Sequence, residues 1–263
     1  MATLFPAARS AKGAALQAEL TGAPAPAPAT LLQESWRDFI YAEVWSRPGL
    51  DRRARFLISL ASAAGNATAA ERLDSYVRGA LASGSMTLAE LREAALHVAV
   101  YAGWESGGRI DAGATRVSRE LGLEPASVDP IRAKPWDPQV RMDEGYAEFE
   151  KVMTFAGPPV GNGLPYLQDG ILNFVFGEMW GRPGLDQRSR RFLTLVGVAD
   201  SGAETPIRSH FHAAMASGNC TAAELHEFVL QYAVHSGWPR ASVIQGVVIE
   251  MSKKVAVGLA WNG

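Results

Sequence analysis

The chain repeats itself, and that limits the folds open to it more than any other feature. YAEVWSRPGLD, Tyr41 to Asp51, returns as FGEMWGRPGLD, Phe176 to Asp186. Glu43 then aligns with Glu178, Trp45 with Trp180, Arg47 with Arg182, and Arg53 and Arg55 with Arg188 and Arg190. After a shift of one residue, ALASGSMTLAELREAALHVAVYAGW (80–104) lies over AMASGNCTAAELHEFVLQYAVHSGW (214–238). The openings KGAALQAELTGAPAP and EGYAEFEKVMTFAGPP correspond more weakly. Such self-similarity marks two copies of one folding unit, here roughly 130 residues each. The copies are assigned to residues 1–130 and 131–263. The joint falls in ASVDPIRAKPWDPQ (126–139), where Pro130, Pro135 and Pro138 interrupt helices.

Each copy reads as helical. Thr87 with Glu90, and Thr221 with Glu224, have the spacing of a capping box, in which side chain and backbone satisfy each other at a helix start. Leu225, Phe228, Val229, Tyr232 and Ala233 recur at steps of three and four, which is one face of a helix. Asp51 and Asp186 are placed to cap the Arg-rich helices that follow. Gly84, Gly103, Gly218 and Gly237 sit where helices stop. No convincing alternating strand is present. The expectation is an all-α chain, a tandem duplication with five to six helices per copy.

Composition narrows the function. A net charge of −2 gives no electrostatic case for nucleic acid or an acidic membrane surface, and no apolar run approaches the ~20 residues needed to span a bilayer. Cys220 is the one cysteine, so neither an intrachain disulfide nor a Cys-x-x-Cys motif can form. This suits a cytoplasmic protein. Arg9 and Lys12 interrupt the Ala-rich start before a signal-peptide core can form, so it reads as mature protein. His210 and His212, at i and i+2, do not converge on one helix face, and no metal site is expected. GPPVGNGLP (157–165) lacks a Lys-Ser/Thr ending and reads as the loop between the first two helices of the second copy.

These motifs together resemble the carboxymuconolactone decarboxylase family: Glu-x-Trp-x-Arg-Pro-Gly-Leu-Asp, the Arg-x-Arg helix, a histidine eight residues before a glycine, Thr-x-x-Glu-Leu-x-Glu and Tyr-Ala-Gly-Trp. The resemblance covers nearly the whole chain, once per copy. It implies the helical fold shared with the AhpD-type alkylhydroperoxidases and a ring of six units, which a two-unit chain reaches as a homotrimer. It also implies a carbon–carbon lyase that needs no cofactor and decarboxylates a small carboxylated lactone in aromatic-compound catabolism.

The copies differ at the family histidine. It is His210 in the second copy, whereas the same offset in the first lands on Tyr76. The second copy is therefore expected to hold the active site and the first a degenerate one. A decarboxylation needs stabilisation of a developing oxyanion, an acid to reprotonate carbon, and a grip on carboxylate. His210 is the candidate general acid/base, with an ordinary pKa near neutrality. Glu178 would orient it or share its proton, and Arg182, Arg188 and Arg190 are candidates for substrate carboxylate. His235, which replaces Tyr101 of the first copy, is expected to line the same site. Several of these acids and arginines occur in both copies, so a shared salt-bridge network competes with each of these roles. His212 is expected to be exposed or at an interface, and His226 to face solvent. The tryptophans at 45, 104, 180 and 238 are expected in core or interface packing. Glu90, Glu93, Glu224 and Glu227 are expected as caps and solvated helix faces.

A peroxidase of the AhpD type, a peroxiredoxin-like activity, is the chief alternative. In that branch two cysteines lie four and seven residues before the histidine; here those positions are Pro206 and Ala203, or Arg72 and Ala69 in the first copy. A related decarboxylase or isomerase with another substrate, and a non-catalytic ring-forming scaffold, complete the set.

Overall fold

A computed structural model describes residues 5–133, 135, 137–157 and 164–263. Among them are twelve helices and no strand, six helices to each copy. The first copy holds α1 (Pro6–Thr21), α2 (Leu31–Ser35, continuing with the wider π winding over Trp36–Trp45), α3 (Arg52–Gly65), α4 (Ala70–Ala82), α5 (Leu88–Ala102) and α6 (Trp104–Glu120). The second holds α7 (Pro138–Met153), the π-wound α8 (Tyr166–Trp180), α9 (Gln187–Ser201), α10 (Glu204–Ala216), α11 (Ala222–Ser236) and α12 (Trp238–Ala256). The loop expected at 157–165 lies largely outside the described residues.

The helix starts follow local chemistry. Both capping boxes form: Thr87 and Thr221 accept from the backbone of Glu90 and Glu224, whose carboxylates accept in return. Asp51 caps α3 through Ala54 N, and Asp186 caps α9 through Ser189 N. Gly103 and Gly237 join α5 to α6 and α11 to α12 at φ +88° and +83°, a region that disfavours a side chain.

The copies are interwoven. The Arg-rich helices α3 and α9 pack on each other at the centre; α5 of the first copy covers α9, and α11 of the second covers α3. One core draws on both copies, with Phe56, Leu57 and Leu91 packed alongside Phe192, Leu193 and Phe228. Gly197 permits the closest of these contacts. A Cβ there would lie 2.7 Å from Tyr101 Cβ and 2.9 Å from its carbonyl oxygen, so any larger residue would push α5 off α9. The exchange of helices has a chemical result. Residues from the second half of one copy face residues from the first half of the other, so each candidate site is assembled from both.

Candidate active site

The base of the site is a buried ion cluster built across the copies. Arg182 reaches Glu93 through Nε at 3.1 Å and Nη2 at 2.6 Å; Arg190 reaches the same carboxylate at 3.3 Å. Arg190 also donates to the carbonyls of Arg182 (2.8 Å) and Leu185 (3.2 Å), which ties the Arg-Pro-Gly turn to α9. Arg182 further donates to the carbonyls of Asp129 and Pro130 in the joint between copies. The pattern recurs with the roles exchanged: Arg47 of the first copy meets Glu227 of the second at 2.6 Å, and Arg55 meets it at 2.9 Å. Glu93 and Glu227 are therefore buried acids and not solvated helix faces, a correction to the sequence reading; Glu90 and Glu224 do act as caps. Removing one partner from a buried pair leaves the other charge uncompensated. Glu93→Ala, which strands both Arg182 and Arg190, is expected to cost about 3 kcal/mol of stability by urea denaturation. A loss under about 0.5 kcal/mol, the size of an ordinary surface substitution, would remove the cluster from the folding account.

Above this base stand residues at four-residue steps along α5. Glu93, His97 and Tyr101 share one face and present an acid, an imidazole and a phenol in a column. His97 is fully buried, with Nε2 2.9 Å from Thr194 Oγ1 and Nδ1 3.5 Å from Arg190 Nη1. Because the guanidinium can only donate, Nδ1 accepts and the imidazole proton sits on Nε2, facing Thr194. Trp180 Nε1 donates to Tyr101 Oη at 2.7 Å. The His97 and Trp180 rings meet edge to face at 5.0 Å, and Tyr101 meets His210 edge to face at 5.7 Å. His97 escaped the sequence reading, although the Glu93–His97–Tyr101 spacing was there to be read.

His210 lies on α10, buried, with no partner for Nδ1. Its pKa is pushed down to about 3, first by burial and then by the charge of Arg191. The expectation of a near-neutral pKa is thus corrected: the imidazole is uncharged at pH 7. His97 is likewise driven well below the ordinary histidine range, by burial and then by Arg190, Arg191 and His210.

Arg191 is the residue that sets this site apart. It is fully buried and has no carboxylate partner among the described residues. Nη2 donates to Val152 O at 2.6 Å, and Nε makes a long contact to Asn219 Oδ1 at 3.4 Å. The guanidinium lies 5.0 Å from the Trp180 ring centre, and Nη1 has no hydrogen-bond partner among the described residues. Burial lowers its pKa to about 10, which still leaves it charged. Its counterpart in the first copy is Phe56, so the unpaired cation belongs to one site alone.

The expected substrate-binding arginines fare differently. Arg182 and Arg190 are saturated by Glu93, and Arg188 by Asp51 (2.7 Å) and Glu224 (2.5 Å). Glu178 pairs with Arg141 at 2.8 Å and Arg182 at 3.3 Å on the wall of a cavity of about 520 Å³, and makes no hydrogen bond to His210. His235 is carried away from His210: it stands in the other site, its Nε2 3.0 Å from Tyr76 Oη. His212 is buried, with Nε2 2.8 Å from Leu259 O, which corrects its expected exposure. His226 is exposed and bonded to Gln245. Trp45 and Trp180 are core residues, while Trp104 and Trp238 are exposed. No cluster of three potential metal ligands occurs among the described residues, and no described helix is long and apolar enough to cross a membrane.

The family profile described as "Carboxymuconolactone decarboxylase family" matches residues 30–106 and 165–248, more than half the chain and once per copy. Two characterised relatives align over shorter stretches. One is 4-carboxymuconolactone decarboxylase of Acinetobacter baylyi, 30% identical over 34% of this chain and 66% of its own length. The other is nitrosuccinic acid decarboxylase of Metarhizium robertsii, 43% identical over 28% of this chain and 50% of its own length. The matches thus span under two thirds of either relative. With the duplicated motifs, the all-helical fold and two profile matches in register with the repeat, the chain belongs to the carboxymuconolactone decarboxylase family.

Proposed function

We propose that the chain decarboxylates a small organic acid at the Arg191–His210 site, with a carboxylated lactone as the leading substrate. The observation that carries this reading is the buried guanidinium of Arg191, uncompensated and with Nη1 unbonded, beside an imidazole whose Nδ1 is also unbonded. A buried cation without a counter-ion is costly, and a bound anion supplies the missing partner. Both relatives are named for decarboxylation of small acids.

The chemistry follows from those two groups and the column on α5. An anionic substrate binds Arg191, neutralising the charge that adds to burial in holding the His210 pKa down, and brings its own negative charge beside the ring, so the imidazole gains basicity and takes a proton from solvent. The bond to the leaving carboxylate breaks, carbon dioxide departs, and the electron pair passes into an enolate whose oxygen faces Arg191 Nη1. His210 then returns its proton to carbon. Stabilisation is worth most where the enolate charge develops, in a site walled by Trp180 and Tyr101. Burial raises the Tyr101 pKa to about 12, so its phenol stays protonated. The step as written uses side chains alone. A cysteine-based peroxide cycle finds no support: Cys220 is buried, and burial pushes its thiol up to about 12.

The test follows the loss of 4-carboxymuconolactone and release of carbon dioxide. His210→Gln is expected to lower kcat by about a hundredfold or more, and His226→Gln, at an exposed position, to leave it unchanged. Full activity in His210→Gln would overturn the acid/base role. Absence of turnover in folded protein, with nitrosuccinate turned over instead, would move the reading to the second substrate. The proposal extends to assembly: a homotrimer completing a ring of six units, tested by light scattering.

A further inference from the structure

A second cavity, also of about 520 Å³, opens where α1 meets the Arg-Pro-Gly turn of the first copy and the start of α3. Small-molecule sites span about 300–1,000 Å³, so it has room for a ligand of modest size. Lys12, Glu19 and Arg52 are exposed around it, while Trp45, Leu50 and Arg55 are buried beneath them.

Its charge is uneven. Lys12, Arg47, Arg52 and Arg55 line it against one acid, Glu19. Glu19 pairs with Arg52, and Glu227, reaching in from α11, pairs with Arg47 and Arg55. Asp51, beside the turn, is held by Arg188 and by the start of α3. Four cations thus share two carboxylates, which leaves a surplus of two positive charges. Lys12 meets no carboxylate among the described residues; its Nζ donates to Ser46 Oγ at 2.8 Å. Arg55 is 1% exposed, and its Nε has no hydrogen-bond partner among the described residues.

The cavity walled by Glu178 occupies the matching place in the second copy and has the opposite sign. Two glycines fix the register. A Cβ on Gly13 would lie 2.0 Å from Arg37 O, and one on Gly145 would lie 2.1 Å from Leu172 O, so the first helix of each copy crosses the next at the same point. Lys12 then answers to Glu144, and Leu16 to Glu148. With Asp129, Asp137 and Glu178, five acids line that cavity against Arg141 and Arg182. The two copies share their packing and differ in this charge, so packing does not account for the cations of the first.

We propose that the cavity of the first copy binds a small organic dianion, a dicarboxylate with an apolar body. Two carboxylates match the two surplus charges. The Lys12 ammonium keeps two donors beyond the one on Ser46, and Arg52 stands beside it at the mouth. Leu16, Leu50 and the Trp45 ring offer an apolar floor to the carbon body, which a bare inorganic anion would leave unused. The inference does not rest on the Arg191–His210 reading.

The probe is phthalate, a dianion near neutral pH, titrated by calorimetry into protein carrying Arg191→Met, so that the other site does not contribute. Saturable binding of one equivalent per chain is expected. Adding Lys12→Glu, which writes in the charge of the second copy, should weaken it by about thirtyfold, and adding Arg52→Gln by about fivefold. Lys253→Glu, the same change of charge at an exposed position on α12, should leave it within about twofold. Inorganic phosphate should bind about tenfold more weakly than phthalate. Circular dichroism and melting confirm that each variant is folded; if Arg52→Gln does not fold, Lys12→Glu decides. No saturable binding at tens of millimolar phthalate, or equal weakening by Lys12→Glu and Lys253→Glu, overturns the site. Phosphate binding as tightly as phthalate overturns the dicarboxylate assignment.

Discussion

Arg191→Met is expected to lower kcat/KM by about a thousandfold while leaving the melting temperature unchanged or raised. The two halves of that result have one cause. In the free protein Arg191 is buried without a counter-ion, and the drop in its pKa from 12.5 to about 10 corresponds to a folding cost of about 3 kcal/mol. Methionine removes that cost and fills similar space, at the loss of the bond to Val152 O. In the complex the same charge is the anion's partner, and truncating one member of a buried charge pair costs about 4 kcal/mol. Arg191→Lys should retain part of the activity, because it keeps the charge and loses the fork. Activity and stability falling together would recast Arg191 as a structural residue and return substrate binding to an open question.

Acid should destabilise the fold well before any carboxylate titrates. Three buried imidazoles have depressed pKa values: His97, by burial, Arg190 and Arg191; His210, to about 3 by burial and Arg191; and His235, to about 4 by burial and Arg72. A histidine held neutral in the fold takes up its proton near pH 6.5 once unfolded, so the unfolded chain binds more protons below that pH. Stability is full above about pH 6.5 and falls as pH drops toward the folded values, at about 1.4 kcal/mol per pH unit for each group. Between pH 6.5 and 5, His210 and His235 together remove about 3 kcal/mol and His97 adds to the loss in the same direction, read as the change in urea-unfolding free energy. Loss of less than about 1.5 kcal/mol over that window would mean that at least two of the three are solvated in solution. A bound anion at Arg191 should blunt the His210 share, which ties the acid profile to the proposed ligand.

The duplication, the helical class and the helix starts were open to reading because each is local. A capping box lies within four residues, and the same phrase written twice needs no coordinates to be recognised. The family histidine at His210 could be found in the same way, by its offset from a glycine. The carboxylate-binding residue could not. Arg182, Arg188 and Arg190 carry the repeated motif; Arg182 and Arg190 make buried pairs with an acid contributed by the other copy, and the partly exposed Arg188 bridges Asp51 of the other copy and Glu224 of its own. Arg191 sits one residue beyond the motif and matches a phenylalanine, so a search for shared residues passes over it. His235 escapes assignment from sequence for a related reason: it belongs to the same copy as His210, but α11 packs chiefly on α3 and carries it to Tyr76 of the first copy.

The order of residues thus determined the number of copies, their helices and where each begins, since those depend on contacts within one turn or one helix face. It also determined the one position, His210 against Tyr76, at which the copies part company. Tertiary structure alone decided which charges remain free. An arginine in a chain of this composition meets several acids within reach, and only the exchange of helices between copies settles that Glu93 satisfies Arg182 and Arg190 while Arg191 is left buried without a carboxylate partner among the described residues. Desolvation then makes that unpaired charge costly, and the same cost directs an anion to it.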